Sequence, residues 1–229
     1  MSDALFGYTG FVGSNLARHR HYDCLYNSAN AHEARSKTFD RVVCAAAPGE
    51  KWRANLDPRT DWIKISALIE TLHEIACERF VLVSTVDVRE DMRYGARRLS
   101  LEGEVRKRFP ASLILRLPAL FGPGLKKNAL YDLMRDNHTD RIAPNAVYQW
   151  FPVILVGGVI DRALAEGRKM LTLTSDPISM REIRDRFFPG RKLGDERADA
   201  PNYGISGISP AYHLSRDQVM GRMTDFLGR

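Results

Sequence analysis

The chain has 229 residues, of which 44% are hydrophobic and 27% charged, with a formal net charge of +6. This is an ordinary globular composition, with room for one substantial α/β domain and a small appendage. No apolar run approaches the roughly 18–20 residues that a bilayer crossing needs, so no membrane partner is expected. The arginines, among them Arg18, Arg35, Arg53, Arg97, Arg168 and Arg191, are dispersed and do not interleave with aromatics, which argues against a nucleic-acid surface.

Residues 4–7 predict a first strand and residues 11–20 the helix after it. Between them runs Leu5-Phe6-Gly7-Tyr8-Thr9-Gly10-Phe11-Val12-Gly13-Ser14-Asn15-Leu16. A strand, a glycine turn and a helix starting inside the glycine pattern aim backbone N–H groups at one spot, which suits a pyrophosphate. Gly7 permits the tight turn, Gly10 a close approach of backbone to phosphate, and Gly13 the packing of helix on strand. The spacing is Gly-x-x-Gly-x-x-Gly, and not the Gly-x-Gly-x-x-Gly of many dehydrogenases. This turn occupies the place of a signal peptide's hydrophobic segment and no basic leader precedes it, so a cytoplasmic protein is expected.

Residues 22–26 and 41–46 read as the second and third strands. Residues 60–79 carry Trp62, Ile65, Leu68, Ile69, Leu72, Ile75 and Ala76 at helical spacing. Residues 80–84 are a fourth strand, 94–108 a charged amphipathic helix, and 112–117 a fifth strand. Strands that are apolar throughout and alternate with helices predict a parallel sheet covered on both faces, and right-handed crossovers make it doubly wound. Farther on, helices are expected over 128–137, 152–167, 179–187 and 215–227, with a short strand over 171–174. Ser179 precedes Glu182 at capping-box spacing. Residues 189–210 read as irregular. Cys24, Cys44 and Cys77 are expected as free thiols, the first two in apolar strands, and neither they nor the scattered histidines form a metal pattern.

Three features after the glycine turn bear on chemistry. Ala45, Ala46 and Ala47 end the third strand with small side chains that either admit a cofactor to the backbone or pack beneath a helix. Ser84 and Thr85 end the fourth strand, where carboxyl ends of parallel strands face a ligand crevice. Tyr94 lies four residues before Arg98, on the same helix face. A phenol titrates near ~10 in water, and an adjacent cation favours its ionised form. A tyrosine tuned in that way can exchange a proton while hydride moves to or from a nicotinamide.

Taken in order, Gly7-Tyr8-Thr9-Gly10-Phe11-Val12-Gly13, Asp40…Ala45-Ala46, Val83-Ser84-Thr85, Tyr94…Arg98 and Leu115-Arg116-Leu117-Pro118…Phe121-Gly122-Pro123-Gly124 resemble the short-chain dehydrogenase/reductase superfamily. The likeness is to its extended branch, the NAD-dependent epimerases and dehydratases, and spans about residues 3–128. It implies an α/β protein: a Rossmann-type doubly wound parallel core over 1–125 and a small C-terminal α+β substrate lobe over 126–229, partly interleaved with the core. It also implies an oxidoreductase or epimerase/dehydratase that uses NAD or NADP on a sugar, often nucleotide-linked, and that can form a homodimer through the helices at 60–79 and 94–108. Carried over by position, Gly7, Gly10 and Gly13, with Tyr8, Thr9, Phe11 and Val12 between them, hold the pyrophosphate. Ser84 or Thr85 orients substrate, Tyr94 is the acid/base with Arg98 beside it, Pro118 lies near the nicotinamide, and Asn128 contacts the sugar nucleotide.

The chain departs from that pattern in two places. Arg98 stands where the family has lysine, with a bulkier and planar charged head. The segment of residues 86–93 between Thr85 and Tyr94 is shorter than usual, which implies a more open pocket or a tyrosine that does not reach it. Both departures motivate an alternative, a catalytically impaired dinucleotide-binding protein with a sensing or structural role. At the end of the second strand Asn27 and Ser28 can bond either a ribose hydroxyl or a phosphate, so NAD and NADP both stay open.

Overall fold

A computed structural model describes residues 2–88, 93–204 and 210–228. In chain order its elements are β1 (Asp3–Phe6), α1 (Phe11–His19), β2 (Cys24–Tyr26), β3 (Thr38–Cys44), α2 (Lys51–Leu56), α3 (Pro58–His73), β4 (Ala76–Thr85), α4 (Tyr94–Arg108) and β5 (Leu113–Leu117). There follow β6 (Ala119–Phe121), α5 (Ala129–Arg135), β7 (Val147–Pro152), α6 (Val156–Ala165), β8 (Met170–Thr172), β9 (Thr174–Ser175), β10 (Pro177–Ser179), α7 (Met180–Phe187), β11 (His213–Leu214) and α8 (Arg216–Leu227).

The chain divides into two compact units. The first runs through Leu117 and takes in Val156–Thr172; the second comprises Pro118–Leu155 and the residues from Leu173 onward. The first unit is built on a six-stranded sheet of order β2-β1-β3-β4-β5-β8, and every neighbouring pair is parallel. Its central strands are apolar on both faces because helices cover both. Leu5, Val43, Val81, Leu82, Ile114 and Leu115 are all fully buried. On one face, Leu68, Leu72 and Ile75 join Leu101 and Val105 of α4 over the strands, and Phe80 stacks on Phe109 at 4.3 Å. The stripe on α3 therefore faces the sheet. Trp62 departs from it and is 44% exposed.

Strand order reverses at β1: β2 pairs on one side and β3 on the other, with Phe6 opposite both Tyr26 and Cys44. Turns leaving β1 and β3 in opposite directions open a crevice at this switch point, the usual ligand position in such sheets. The expected helix over 60–79 ends earlier, at His73. Ser36 takes a positive φ of 60° and donates its N–H to the Glu74 carbonyl. That turn lets Thr38 and Phe39 pair with Ala76 and Cys77, so β3 and β4 begin earlier than hydrophobicity alone indicates. Helix α3 starts on Pro58, with the Asp57 side chain accepting from the Thr60 N–H at 3.0 Å. Helix α2 was not foreseen; its face carries the exposed Trp52 and Leu56.

Helix α6 belongs to the first unit through charge. Asp161 accepts from His19, Arg20 and Arg41, and Arg41 also reaches Asp3 at 2.7 Å. Gly157 lies so close to His19 that a Cβ there would stand 2.3 Å from its ring.

The second unit holds a three-stranded sheet of order β10-β7-β6 and the parallel pair β11-β9. Phe121, Trp150, Ile178, Ile183, Phe187 and Met220 build its core. Strands β6, β7, β10 and β11 carry no clear alternation in the sequence and were missed. The strand expected over 171–174 is two strands, β8 in the first unit and β9 in the second. The first part of the helix expected over 152–167 is a 3-10 turn, so α6 begins at Val156. Helices α7 and α8 each open on a complete capping box, Ser179 with Glu182 and Ser215 with Gln218. Among the described residues, no helix is long and apolar enough to cross a membrane, and no group of three His, Cys, Asp or Glu could hold a metal ion.

Candidate functional site

The glycine turn lies at the switch point. Gly7 has a φ of +85°, and a Cβ on it would stand 2.4 Å from the Ala45 carbonyl oxygen. A Cβ on Gly13 would lie 2.0 Å from the Gly7 oxygen, whereas on Gly10 it would lie 3.3 Å away. Gly7 and Gly13 are thus required by contact of backbone with backbone, and Gly10 is left facing outward. The Ala45 N–H donates to the Phe6 carbonyl at 2.9 Å, which brings the two turns side by side. Ala45, Ala46 and Ala47 are partly buried, and the latter two pack on the core cluster.

Gly10 is the N-cap of α1. No side chain caps this end and its first turn holds no acidic residue, so an unneutralised helix terminus faces outward from the turn. Tyr8, Phe11 and Val12 are partly exposed and Thr9 is exposed. Tyr8 and Asn27 meet across the turn, the Asn27 amide donating to the Tyr8 hydroxyl at 3.2 Å. The Asn27 amide oxygen accepts from the Ala29 N–H. Ser28 is exposed nearby in sequence.

Tyr94 begins α4. Its side chain is buried, 6% exposed, and its hydroxyl is 3.4 Å from the Pro48 carbonyl, just beyond the three alanines. The next residue explains the depth of this placement. A Cβ on Gly95 would stand 2.0 Å from the Asp87 carbonyl oxygen, so only glycine lets α4 press against the turn after β4. Tyr94 was expected to have a phenol eased toward ionisation by Arg98. The opposite holds. Burial raises its pKa above the usual phenol value and outweighs the lowering by Arg98, while Asp87 and Asp61 add to the rise.

Arg98 is itself fully buried, 2% exposed, with its guanidinium carbon 4.0 Å from the Tyr94 ring centre. It binds Asp61 through both terminal nitrogens, at 2.5 and 2.8 Å, and donates to the Pro48 carbonyl. Arg97 reaches the same carboxylate at 2.5 Å and the Ala54 carbonyl at 2.9 Å. Burial works to raise the Asp61 pKa, but bonds and charge from Arg98 and then Arg97 hold it below the usual carboxylate value. Asp61 was not singled out in the sequence; a lone acid in an apolar helix gives no sign of its partners.

The two hydroxyls ending β4 point to different tasks. Ser84 donates to Glu102 at 2.7 Å, and that carboxylate, completely buried, also accepts from Arg116 at 2.9 and 2.6 Å. Thr85 faces the other way along the alternation of the strand. It donates to Asp87 at 3.1 Å and accepts from the Asp87 N–H at 3.2 Å. Lys51 closes the group with an ammonium 2.8 Å from the other Asp87 oxygen. Residues 89–92, half of the segment 86–93 before Tyr94, lie outside the described residues.

In the second unit, Asn128 is the N-cap of α5 with a φ of 137°. Its side-chain oxygen accepts from the Tyr131 N–H and its amide donates to the Leu120 carbonyl. Pro118 is partly exposed between β5 and β6. Thr174, His213 and Asp176 form a hydroxyl–imidazole–carboxylate line at 3.0 Å each. The Thr174 hydroxyl is sealed, at 1% exposure for the residue, and Asp176 also accepts from the Arg216 N–H, so this line ties β9 to β11 and α8.

No protein-family model matches the sequence, and no curated protein matches it. Solved structures do. A UDP-N-acetylglucosamine 4-epimerase from Methanobrevibacter ruminantium superposes with a TM-score of 0.73 at 13% identity, covering 99% of this chain and 95% of that one. A UDP-glucuronic acid 4-epimerase from Bacillus cereus, solved with UDP-glucuronic acid and NAD, gives 0.67 at 14% identity, with 100% and 93% covered. A dTDP-4-dehydrorhamnose reductase from Yersinia enterocolitica gives 0.65 at 15%, with 99% and 98% covered. The chain has the Rossmann-like α/β fold of these enzymes.

Proposed function

We propose that this chain belongs to the extended short-chain dehydrogenase/reductase group, binds NAD or NADP along the Gly7–Gly13 turn, and acts on a nucleotide-linked sugar. The observation that carries the reading is the switch point: a glycine turn that tolerates no Cβ at two positions, beneath a helix end with neither a side-chain cap nor an acid. The fold shared with nucleotide-sugar epimerases and a reductase supports the same class of substrate. When bound, the dinucleotide supplies a hydride donor or acceptor.

The chain's own residues do the rest. Gly7, Tyr8, Thr9, Gly10, Phe11, Val12 and Gly13 hold the pyrophosphate; Asn27 and Ser28 bond the adenine-side ribose; Ala45, Ala46 and Ala47 leave space beside them. Thr85 orients the reacting oxygen, while Ser84 keeps Glu102 and Arg116 in place beneath it. Tyr94 holds its proton at neutral pH, because burial keeps the phenol neutral, and in the reducing direction it would give that proton to a substrate oxygen. Pro118 and Asn128 belong to the nicotinamide and sugar ends of the same assignment. A homodimer would cover Trp62 and Ile63 of α3 and Leu99 of α4, which are exposed apolar side chains.

Fluorescence titration with NADH and with NADPH tests the first half. Binding of either is expected in the native chain and in Tyr94→Phe alike. Turnover of a UDP- or dTDP-sugar is expected to fall by about 10²-fold or more in Tyr94→Phe, the share of a general acid. The commitment of Arg98 to Asp61 and Pro48 favours a second reading, a dinucleotide-binding protein without turnover. Binding together with unaltered sugar nucleotides across a panel would select it, and absence of binding would remove both.

A further inference from the structure

The Tyr94 hydroxyl meets the carbonyl oxygen of Pro48 at 3.4 Å, and Arg98 donates to the same oxygen. That carbonyl belongs to the peptide between Pro48 and Gly49, and both flanks of this peptide are held. Before it, Ala46 and Ala47 pack on the core cluster, and the Ala45 N–H is bonded to the Phe6 carbonyl. After it, Lys51 reaches Asp87 at 2.8 Å, and the Ala54 carbonyl accepts from Arg97 at 2.9 Å. A segment fixed on both sides does not slide off the phenol, but one peptide plane can rotate within it. Such a rotation changes ψ of Pro48 and φ of Gly49 in opposite senses, and the proline ring, which fixes only φ, permits it. Type I and type II turns with Pro-Gly at their centre differ by this rotation, and the second form needs the positive φ of glycine. Gly49 has a φ outside that region here, and a Cβ on it would meet nothing within 4 Å. Among the described residues the buried Nε of Arg98 has no partner, so this arrangement leaves one donor unsatisfied.

We propose that the Pro48–Gly49 peptide is a conformational switch on Tyr94. With the carbonyl inward, as in this structure, it takes the phenol's hydrogen bond and covers the hydroxyl. With the plane reversed, Gly49 takes a positive φ, the hydroxyl is released, and the Gly49 N–H turns to the place the oxygen held. That N–H then donates to an acceptor oxygen of the bound ligand, which offsets the bonds lost by Tyr94 and Arg98. The switch rests on the reading of Tyr94 as the proton-carrying group: a phenol that donates to the backbone does not donate to substrate until the carbonyl leaves. A ligand that requires the reversed form binds with an apparent affinity lowered by the fraction of chains that hold it.

The test compares Gly49→Ala with the native full chain. The form seen here has room for the methyl group, so the thermal midpoint stays level or rises. The reversed peptide does not accept it, because alanine disfavours a positive φ. Nitration of Tyr94 by tetranitromethane, read by peptide mass spectrometry on the ligand-free chain, is expected to slow about 10-fold, the penalty of an L side chain in that region. Binding of whichever of NADH and NADPH the native chain takes is expected to weaken by a similar factor. Gly49→Asn, whose side chain tolerates the left-handed region, recovers much of both. Native nitration in Gly49→Ala, a lowered midpoint there, or an asparagine variant no better than alanine overturns the proposal. If neither dinucleotide binds the native chain, the dinucleotide function falls, and the nitration rates still decide whether the peptide governs Tyr94.

Discussion

Arg98 holds its guanidinium carbon 4.0 Å from the Tyr94 ring centre and donates through both terminal nitrogens to Asp61, 37 residues earlier in the chain. Burial raises the Tyr94 pKa and outweighs the lowering by this cation, and the same guanidinium is bonded to a buried carboxylate. The pair therefore fixes where the phenol lies more than how readily it ionises.

Asp61 is expected to be a stability residue of the first rank. Asp61→Asn leaves Arg97 and Arg98 without their carboxylate in a buried setting, and breaking such a pair costs about 3–5 kcal/mol. Urea unfolding followed by circular dichroism measures it. A loss under about 1 kcal/mol, the value of an exposed pair, would show that water reaches this group.

The glycines of the turn should separate by role. Gly13→Ala sets a Cβ 2.0 Å from a backbone oxygen, and the overpacking is expected to cost about 1–3 kcal/mol or more. Gly10→Ala meets the same oxygen at 3.3 Å, so the fold persists while the outward face of the turn gains a methyl group. Thermal unfolding and NADH titration on both variants read the difference: Gly13→Ala lowers the midpoint, whereas Gly10→Ala lowers chiefly the affinity.

Acid should loosen α6 from the sheet. Burial acts to raise the Asp161 pKa, but the bond from His19 and the charges of Arg20, Arg41 and His19 hold it below the ordinary value. A carboxylate with a depressed folded pKa adds stability that is present above its unfolded pKa and lost as pH falls through the folded one. Urea midpoints between pH 7 and pH 3 should therefore decline less steeply in Asp161→Asn than in the native chain. Parallel curves would show that Asp161 contributes nothing to the acid limb.

Ser84 and Thr85 should diverge although they are adjacent. Ser84→Ala removes one bond to the buried Glu102 and is expected to cost about 1–2 kcal/mol of stability. Thr85→Val removes the hydroxyl that Asp87 orients, and its effect is expected in kcat more than in the unfolding midpoint. A Ser84→Ala variant with the larger loss of kcat would exchange their assignments.

Much of the first unit was legible because its signals are local. Five apolar strands, the glycine turn and the helix beginning at Tyr94 stand within a few residues of where periodicity places them. The boundaries of α3 and β4 were displaced because a turn at Ser36 extends pairing into polar residues, which hydrophobicity cannot register. Strands β6, β7, β10 and β11 are short and carry no alternation to read.

Spacing along the chain was enough to determine the order of the parallel strands' signals, the glycine turn at their head and the placing of Tyr94 at the start of a helix. These depend on the backbone's own periods and on residues within one or two turns of each other. Only the tertiary structure decided which partner each charged group takes: Arg98 with Asp61, Ser84 with Glu102, and Lys51 with Asp87. Those pairings join residues 18 to 37 positions apart. They follow from which helix crosses which strand, so the burial that raises the Tyr94 pKa exists only once α4 is pressed against the turn at Asp87.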